Sequence, residues 1–395
     1  MNTPYATEIS TAIPAIQLAA RISKHVLASA NKGTIEKAED LSPVTVADFA
    51  IQAYLTKVLS SSFPTDSFVG EESAAALRAN PELLQRVYDV IHECIDEICS
   101  SSSDDDKNDE SQVAIAEVVK RGAPESKEQV CELVDRCGDG GKDGLSADSG
   151  RTWVFDPIDG TKTFVRGEQY AINVALLEGG RQILSVVACP LLSRKATAPV
   201  GNASVFKVDE GENSEEGCIV YAVRGFGAYA RPLFVGQGAG LAVCASEPLK
   251  RHADGVAVSG LRSVSCWNLL DSGVDDAHKE ATERLGVEFP GSDLLGWVPR
   301  WVSLALGLAN MTVWVYKRRD RYAKIWDHAG AMLLFEEVGG MVTDVDGKEI
   351  DLTKGRKLSA NFGFVAAPRS VHHVVLKAVR QTLKEQGKEV LLNAA

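Results

Sequence analysis

The chain has no C-x-x-C pair and no zinc-ribbon spacing. Its eight cysteines, Cys94, Cys99, Cys131, Cys137, Cys189, Cys218, Cys244 and Cys266, are scattered through 395 residues. That pattern argues against a cysteine-built metal site and reads as reduced, mostly buried thiols. Positive charge is also scarce: the formal net charge is -12 and the pI is near 5.2. Such a balance speaks against nucleic acid or anionic membrane as partners, because a polyanion needs a basic face that releases its counterions. No apolar run is long enough to span a bilayer. The most apolar stretch, Val302 to Tyr316, is interrupted by Ser303, Asn310 and Thr312 and reads as core. The first thirty residues carry Glu8 and lack both a continuous signal-peptide core and the Arg-rich, acid-free character of a transit peptide, so a cytoplasmic location is expected. A complete dinucleotide fingerprint is missing as well. Arg224-Gly225-Phe226-Gly227-Ala228-Tyr229-Ala230 lacks the final glycine and the βαβ setting, and is read as a turn between strands.

What is present is enough apolar residue, 45% of the chain, for a large core in one or two closely packed domains. Ile9, Ile13, Ile16, Ala20, Ile22 and Val26 recur at helical spacing, and a second helical pattern runs from about Val46 to Leu59. Thr45 is a natural N-cap for the second helix, with Asp48 three residues on as in a capping box. Residues 100–112 are too polar to repay ordering and read as a mobile insert, and a second polar, Gly-rich stretch covers 137–150. Arg151 to Asp156 reads as a strand that delivers a carboxylate to a loop. Ala171–Leu177 and Ile183–Ala188 read as a hairpin, with further strands at Cys218–Val223 and Val235–Ala245. A domain seam is placed at 195–215, giving an N-terminal α+β domain over 1–195 and a C-terminal α/β domain over 215–395. The alternation of helical and strand-like runs suggests a layered α/β arrangement.

The chemistry concentrates at Asp156-Pro157-Ile158-Asp159-Gly160-Thr161. Two acids three residues apart, with the Ile158 carbonyl between them, suit a hard cation that takes oxygen ligands. Gly160 and Thr161 stand where a helix begins, and free backbone amides there favour a phosphate oxygen. An Asx-type turn that merely caps a helix is the plain alternative. Two more acidic sites bear on the choice. Gly70-Glu71-Glu72-Ser73 sets like charges side by side, which is costly unless they are solvated or bound to cations. Asp327 in Trp326-Asp327-His328-Ala329-Gly330 sits at the head of a helix reaching about Val338, where an N-cap is the plain alternative.

These three motifs, in this order, resemble those of the inositol monophosphatase superfamily of lithium-sensitive, magnesium-dependent phosphatases. Ser42-Pro43-Val44-Thr45, Asp159-Gly160-Thr161-Lys162, Phe164 to Tyr170 and Lys324 to Ala329 narrow the likeness to the 3'(2'),5'-bisphosphate nucleotidases, which remove the 3'-phosphate of 3'-phosphoadenosine 5'-phosphate. The resemblance implies an α-β-α-β-α sandwich and a cluster of two or three Mg²⁺ ions. It implies that Asp156 bridges two ions, that Glu71 and the Ile158 carbonyl hold one, and that Asp159 and Asp327 hold the other. It further implies that Thr161, hydrogen-bonded to Asp48, orients and helps deprotonate the attacking water, with Glu71 also ordering an ion, and that the Gly160 and Thr161 amides grip the phosphate of a small phosphorylated substrate.

The substrate-reading half departs from that pattern. Lys250, in Pro248-Leu249-Lys250-Arg251-His252, and Arg300, in Trp297-Val298-Pro299-Arg300-Trp301, are expected to supply positive charge to the substrate. Trp314 stands where the family's strand usually has arginine, and it either stacks on a base or fills core. Three functions therefore stand: the 3'-nucleotidase reaction in support of sulfur assimilation, hydrolysis of an inositol phosphate or pathway-specific metabolite, and non-catalytic binding of a phosphometabolite.

Overall fold

The structure, a computed structural model, describes residues 4–29, 32–36, 43–100, 110–139, 150–204, 214–236, 241, 244–252, 255–267 and 273–392. Ser42, most of the expected insert, 140–149 of the Gly-rich stretch and 205–213 of the expected seam lie outside the described residues.

The first expected helix is α1 (Ala6–Ala28), which buries Ile13, Ile16, Ala20, Ile22 and Val26. A short ribbon, β1 (Ile35–Glu36) with β2 (Pro43–Val44), leads into α2 (Val46–Ser62). Thr45 caps α2 as its sequence requires. The Thr45 hydroxyl oxygen accepts from the Ala47 amide at 3.2 Å, while Asp48 Oδ2 accepts from the Thr45 amide and hydroxyl, both at 2.7 Å. Next come β3 (Ser67–Gly70), α3 (Ala75–Ala79), α4 (Pro81–Ser100), α5 (Glu110–Arg121) and α6 (Lys127–Asp139). The middle of the chain holds β4 (Arg151–Asp159), α7 (Thr161–Val165), β5 (Ala171–Glu178), β6 (Arg181–Cys189), β7 (Glu215–Val223), β8 (Gly227–Val235) and β9 (Glu247–Pro248). The last third holds β10 (Val264–Ser265), α8 (Asp275–Arg284), β11 (Ser292–Asp293), α9 (Trp297–Ala305) and β12 (Thr312–Trp314). It continues with α10 (Ala331–Glu337), β13 (Gly340–Thr343), β14 (Phe364–Pro368) and α11 (His372–Glu385).

The strands from β3 to β9 lie side by side in sequence order in one seven-stranded sheet, with β3 parallel to β4 and the rest antiparallel. Strands β4 and β5 are buried almost throughout, because helices cover both faces of the sheet and every side chain along them meets core. Helices α1 and α2, backed by α4, α5 and α6, pack on one face, and α9 and α10 on the other. Beyond α10 lies the small sheet β12-β14-β13, itself covered by α11, against which α8 packs. The result is the expected α/β fold, a layered α-β-α-β-α sandwich. No helix among the described residues is long and apolar enough to cross a membrane.

One expectation changes. The strand after Cys218–Val223 is Gly227–Val235, so most of the glycine-bearing segment read as a turn is strand, whereas 237–240 and 242–243 of the expected strand Val235–Ala245 lie outside the described residues. Only Arg224, Gly225 and Phe226 turn, with positive φ at Gly225 and Gly227, after which Tyr229 pairs with Tyr221 across the hairpin. Glycines at such positions let a reversal close in few residues, leaving the apolar alternation behind them free to pair. The expected seam at 195–215 falls between β6 and β7, which are neighbours in the seven-stranded sheet.

The cap on α2 makes a prediction about stability. Thr45→Ala should lower unfolding free energy by about 1 kcal/mol, the usual cost of a lost N-cap hydroxyl. Chemical denaturation followed by circular dichroism measures this, and a change within error would show that the Asp48 carboxylate alone caps the helix.

Candidate active site

In a regular strand, residues three apart point to opposite faces, so Asp156 and Asp159 would diverge. A bulge prevents that. Asp156 pairs with Asn173 and Asp159 with Ala171, so three steps along β4 are matched by two along β5. Pro157 sits inside the interruption, where its missing amide breaks no ladder bond. The extra residue returns Asp159 to the face of Asp156, which is how bulges re-aim side chains. The chain that follows turns through Gly160, with φ 90°, where a Cβ would lie 2.7 Å from Thr163 Oγ1, and enters the five-residue α7.

Asp327 arrives from the other half of the chain. It ends a 3-10 turn, Ile325–Asp327, and α10 begins only after Gly330, so Asp327 does not cap that helix. Asn173, the register partner of Asp156, holds this segment by donating from Nδ2 to the carbonyls of Trp326 (2.7 Å) and Ala329 (2.9 Å). The Gly330 amide donates to Gln182 Oε1 at 2.7 Å, and a Cβ at Gly330 would lie 2.6 Å from Ala175 Cβ, so only glycine lets the segment approach β5 this closely. Asp156, Asp159 and Asp327 thereby present carboxylate oxygens within 4.8 Å of one another.

Glu71 stands beside this group. β3 runs parallel to β4 with Gly70 next to Phe155, so Glu71 leaves the sheet level with Asp156. Burial raises the Asp156 carboxyl well above its ordinary value, and the charges of Glu71, Asp159 and Asp327 raise it further. Burial likewise holds Asp327 well up, with Asp159 and Glu71 adding to the effect. Burial lifts Asp159 to about 7, opposed by the amides of Val298 and Trp297 and by the Arg300 charge. The Val298 amide donates to Asp159 Oδ2 at 2.8 Å, and a Cβ at Gly296 would stand 2.5 Å from that oxygen, so the start of α9 fits against Asp159 only through glycine. Close, buried, mutually repelling carboxylates are stable as anions only with a cation among them, and an all-oxygen donor set suits a hard divalent one.

The comparisons with known proteins agree with this geometry. The profile described as the inositol monophosphatase family matches residues 5–384. The chain belongs to the inositol monophosphatase family. A 3'(2'),5'-bisphosphate nucleotidase of Emericella nidulans is 31% identical over 372 residues, covering 94% of this chain and 96% of the relative. A rice protein of the same name is 31% identical over 391 residues, covering 98% and 97%. Among solved structures, the extragenic suppressor protein suhB from Bartonella henselae superposes with a TM-score of 0.53 at 14% identity, covering 95% of this chain and 99% of that one, which shows the shared fold. This member of the family is thus an enzyme of the phosphatase type.

The expected site residues do not all gather at the acids. Thr161 Oγ1 donates to the Ile158 carbonyl at 3.1 Å and not to Asp48, whose Oδ2 serves the cap of α2. The Ile158 carbonyl keeps a second lone pair for another partner. Arg300 does not project toward a substrate. It is fully buried, donating to the carbonyls of Leu294 (2.8 Å) and Leu295 (2.7 Å), with its guanidinium 4.2 Å from the Trp297 ring and 4.9 Å from that of Trp314. An apolar α9 facing the central sheet draws it inward, and indole faces shelter its charge. Trp314 is buried in the same cluster with His278 and Tyr316, so it fills core. Lys250 is exposed just past β9, which is five strands along the sheet from β4. Its neighbours Arg251 and His252 bond to Glu337 and Val338 at the far end of α10 from Asp327. In this structure Arg300 is thus a core residue and Lys250 a surface residue beyond the last strand of the sheet.

Asn173, Gln182, Gly296 and Gly330 were not foreseen as site residues. Asn173 left a signal, a lone amide in the otherwise apolar strand Ala171–Leu177. Gly296 left none, since its role depends on Asp159 arriving from β4.

The raised Asp159 carboxyl sets a pH dependence. Its folded value of about 7 exceeds the ordinary 3.8, so the native state binds the proton more tightly and loses stability as pH rises between those values, the loss being complete above about 7. A bound cation offsets that loss. The increase in Tm on adding Mg²⁺ should therefore grow from pH 5 to pH 8 in differential scanning calorimetry and flatten in Asp159→Asn. An increase independent of pH would contradict the assignment.

Proposed function

We propose that this enzyme is a magnesium-dependent phosphomonoester hydrolase that removes the 3'-phosphate of 3'-phosphoadenosine 5'-phosphate and of its sulfated relative. The convergence of Asp156, Asp159 and Asp327 carries the metal part of the reading. The substrate comes from the relatives named 3'(2'),5'-bisphosphate nucleotidase, which match along nearly the whole chain.

Asp156, Asp159, Asp327, Glu71 and the Ile158 carbonyl would hold Mg²⁺, with Asp156 central because its carboxyl is repelled by all three other acids. When bound, the cations neutralise phosphate charge and acidify water. The chain supplies orientation and proton transfer. Gly160 and Thr161 open α7, and their amides, which precede the first Thr163 to Gly160 bond of that turn, are the donors for the phosphate oxygens. Thr161 Oγ1 takes a proton from the attacking water and passes one to Asp48, which requires the hydroxyl to turn from the Ile158 carbonyl. His328, next to Asp327, plays no part in proton transfer. Burial holds it neutral, stacked on Phe364 with its Nδ1 accepting from Trp301 Nε1 at 3.2 Å.

One observation favours a second reading within the phosphatase class. With Arg300 and Trp314 both buried in core, two positions assigned to nucleotide recognition are withdrawn, which suits a smaller phosphoester such as an inositol phosphate. A phosphate-release assay across bisphosphate nucleotides and inositol phosphates separates the two. Release from 3'-phosphoadenosine 5'-phosphate should require Mg²⁺, be inhibited by Li⁺ and fall by at least about a thousandfold in Asp156→Ala, as for loss of a principal charge-stabilising group. A tenfold preference for another phosphoester would transfer the assignment to that compound. No release from any compound by the unsubstituted protein would make the role one of binding without chemistry, and release unaffected in Asp156→Ala would remove that residue from the reaction.

A further inference from the structure

The acids at the site come from chain segments that repel one another, and Glu71 and Asp327 have no covalent neighbour in common. Glu71 follows β3, while Asp327 lies some 250 residues later, as the hydrogen bonds that span the gap record. One side chain bridges the two segments. Arg356 Nη1 donates to the Gly70 carbonyl at 2.7 Å and to the Cys137 carbonyl at 3.3 Å, and its Nη2 donates to the Glu71 carbonyl at 3.1 Å. Its guanidinium carbon lies 4.6 Å from the centroid of the Trp326 ring, the residue beside Asp327. The Arg356 main chain is tied to the same turn, its carbonyl accepting from the Ile325 amide at 3.0 Å, with the Leu358 amide donating to the Ala323 carbonyl next to it.

Glu71 is gripped from the other side by α2. Gln52 Nε2 donates to the Glu72 carbonyl at 2.8 Å, and the Glu72 amide donates back to Gln52 Oε1 at 2.9 Å. The glycine at 70 permits this, since a Cβ there would lie 2.7 Å from Gln52 Oε1. The Glu71 turn is thus held between Gln52, which belongs to the helical layer, and Arg356, which lies in the connection from β13 to β14 and is hydrogen-bonded through its carbonyl to the turn that ends at Asp327.

We propose that Arg356 is a positioning residue that sets the separation of Glu71 from Asp327 and thereby the affinity of the site for divalent cation. The inference rests on the reading of these acids as metal ligands. A planar fork suits the task because it reaches two successive carbonyls while its face lies on an indole; a lysine ammonium offers neither the fork nor the plane. Residues that orient metal ligands without touching the metal typically change affinity by about 10–100-fold when replaced.

The test is Mg²⁺ binding to the full chain without substrate, by isothermal titration calorimetry and by Mn²⁺ paramagnetic resonance. Arg356→Gln should weaken cation binding by about tenfold or more. Arg356→Lys should lie between it and the unaltered protein, and serves as the informative variant if the glutamine variant does not fold by circular dichroism. The control is Arg319→Gln, which removes a comparable clamp distant from the acids, one bonded to the Leu391 carbonyl and Asp346 and lying 4.4 Å over Phe362. The Mg²⁺ concentration for half-maximal phosphatase activity should rise in parallel for the Arg356 variants, with KM at saturating Mg²⁺ unchanged. Unaltered cation affinity in folded Arg356 variants overturns the inference alone, as does an equal loss in Arg319→Gln. An unsubstituted protein that binds no divalent cation removes the metal-site reading and the inference with it.

Discussion

Asp156, Asp159 and Asp327 place carboxylate oxygens within 4.8 Å of one another, with Glu71 adding its charge from the neighbouring strand, and each of the three aspartates is driven toward its protonated form by burial and by the others. Such a group works against folding wherever it is charged and uncompensated. Much of the surrounding structure holds it together. The bulge at Pro157 turns Asp159 to the side of Asp156, the parallel pairing of β3 with β4 brings Glu71 level, and Asn173 and Gln182 fasten the segment that carries Asp327. The start of α9 answers Asp159 with an amide, and Arg356 joins the Glu71 turn to Trp326. Apart from the Arg356 guanidinium on the Trp326 ring, every one of these contacts ends on main chain at one side. The scaffold therefore fixes where the acids stand while leaving carboxylate oxygens available to a ligand.

The layered architecture explains why the acids can be brought together at all. A sheet covered on both faces provides a dry, rigid edge from which β3 and β4 project ligands, and the helices on its second face connect it to the segment ending at Asp327. The same layering withdraws residues from chemistry. Arg300 and Trp314 belong to an aromatic cluster of Trp297, Trp301, His328 and Phe364 between the two sheets, where Arg300 donates to the carbonyls of Leu294 and Leu295 and lies on indole faces, while Arg300 Nη1 and Trp314 Nε1 have no hydrogen-bond partner among the described residues. Positive charge in the chain is thus not a guide to where an anion binds. A guanidinium enclosed by indoles is a packing element.

Local signals were legible where a short stretch determines its own structure. The period of α1, the Thr45 cap with Asp48, and the paired strands β5 and β6 each follow from neighbours within a few residues, and the structure forms them as read. The start of β8 reads as turn because its glycines announce a reversal without saying how short it is. Charge and sequence position do not reveal which layer a side chain enters: Arg300 is drawn into core while Lys250 stays at the surface. Asp48 and Thr161 illustrate an intermediate case: both were legible as polar residues at helix starts, yet each is engaged with its own neighbours and not with the other.

The sequence by itself determined the chemical inventory: acids in the motif Asp156 to Thr161, at Glu71 and at Asp327, with glycines where the backbone must turn tightly, and a family likeness strong enough to imply the layered fold. Tertiary structure alone decided that the acids meet, that Asp327 is no helix cap, and that Gly296, Asn173 and Arg356 belong to the site. The physical reason is range. A cap or a periodic face is settled by contacts a few residues apart, whereas the approach of Glu71 to Asp327 depends on sheet register, helix packing and a guanidinium that bridges segments of the chain which share no local signal.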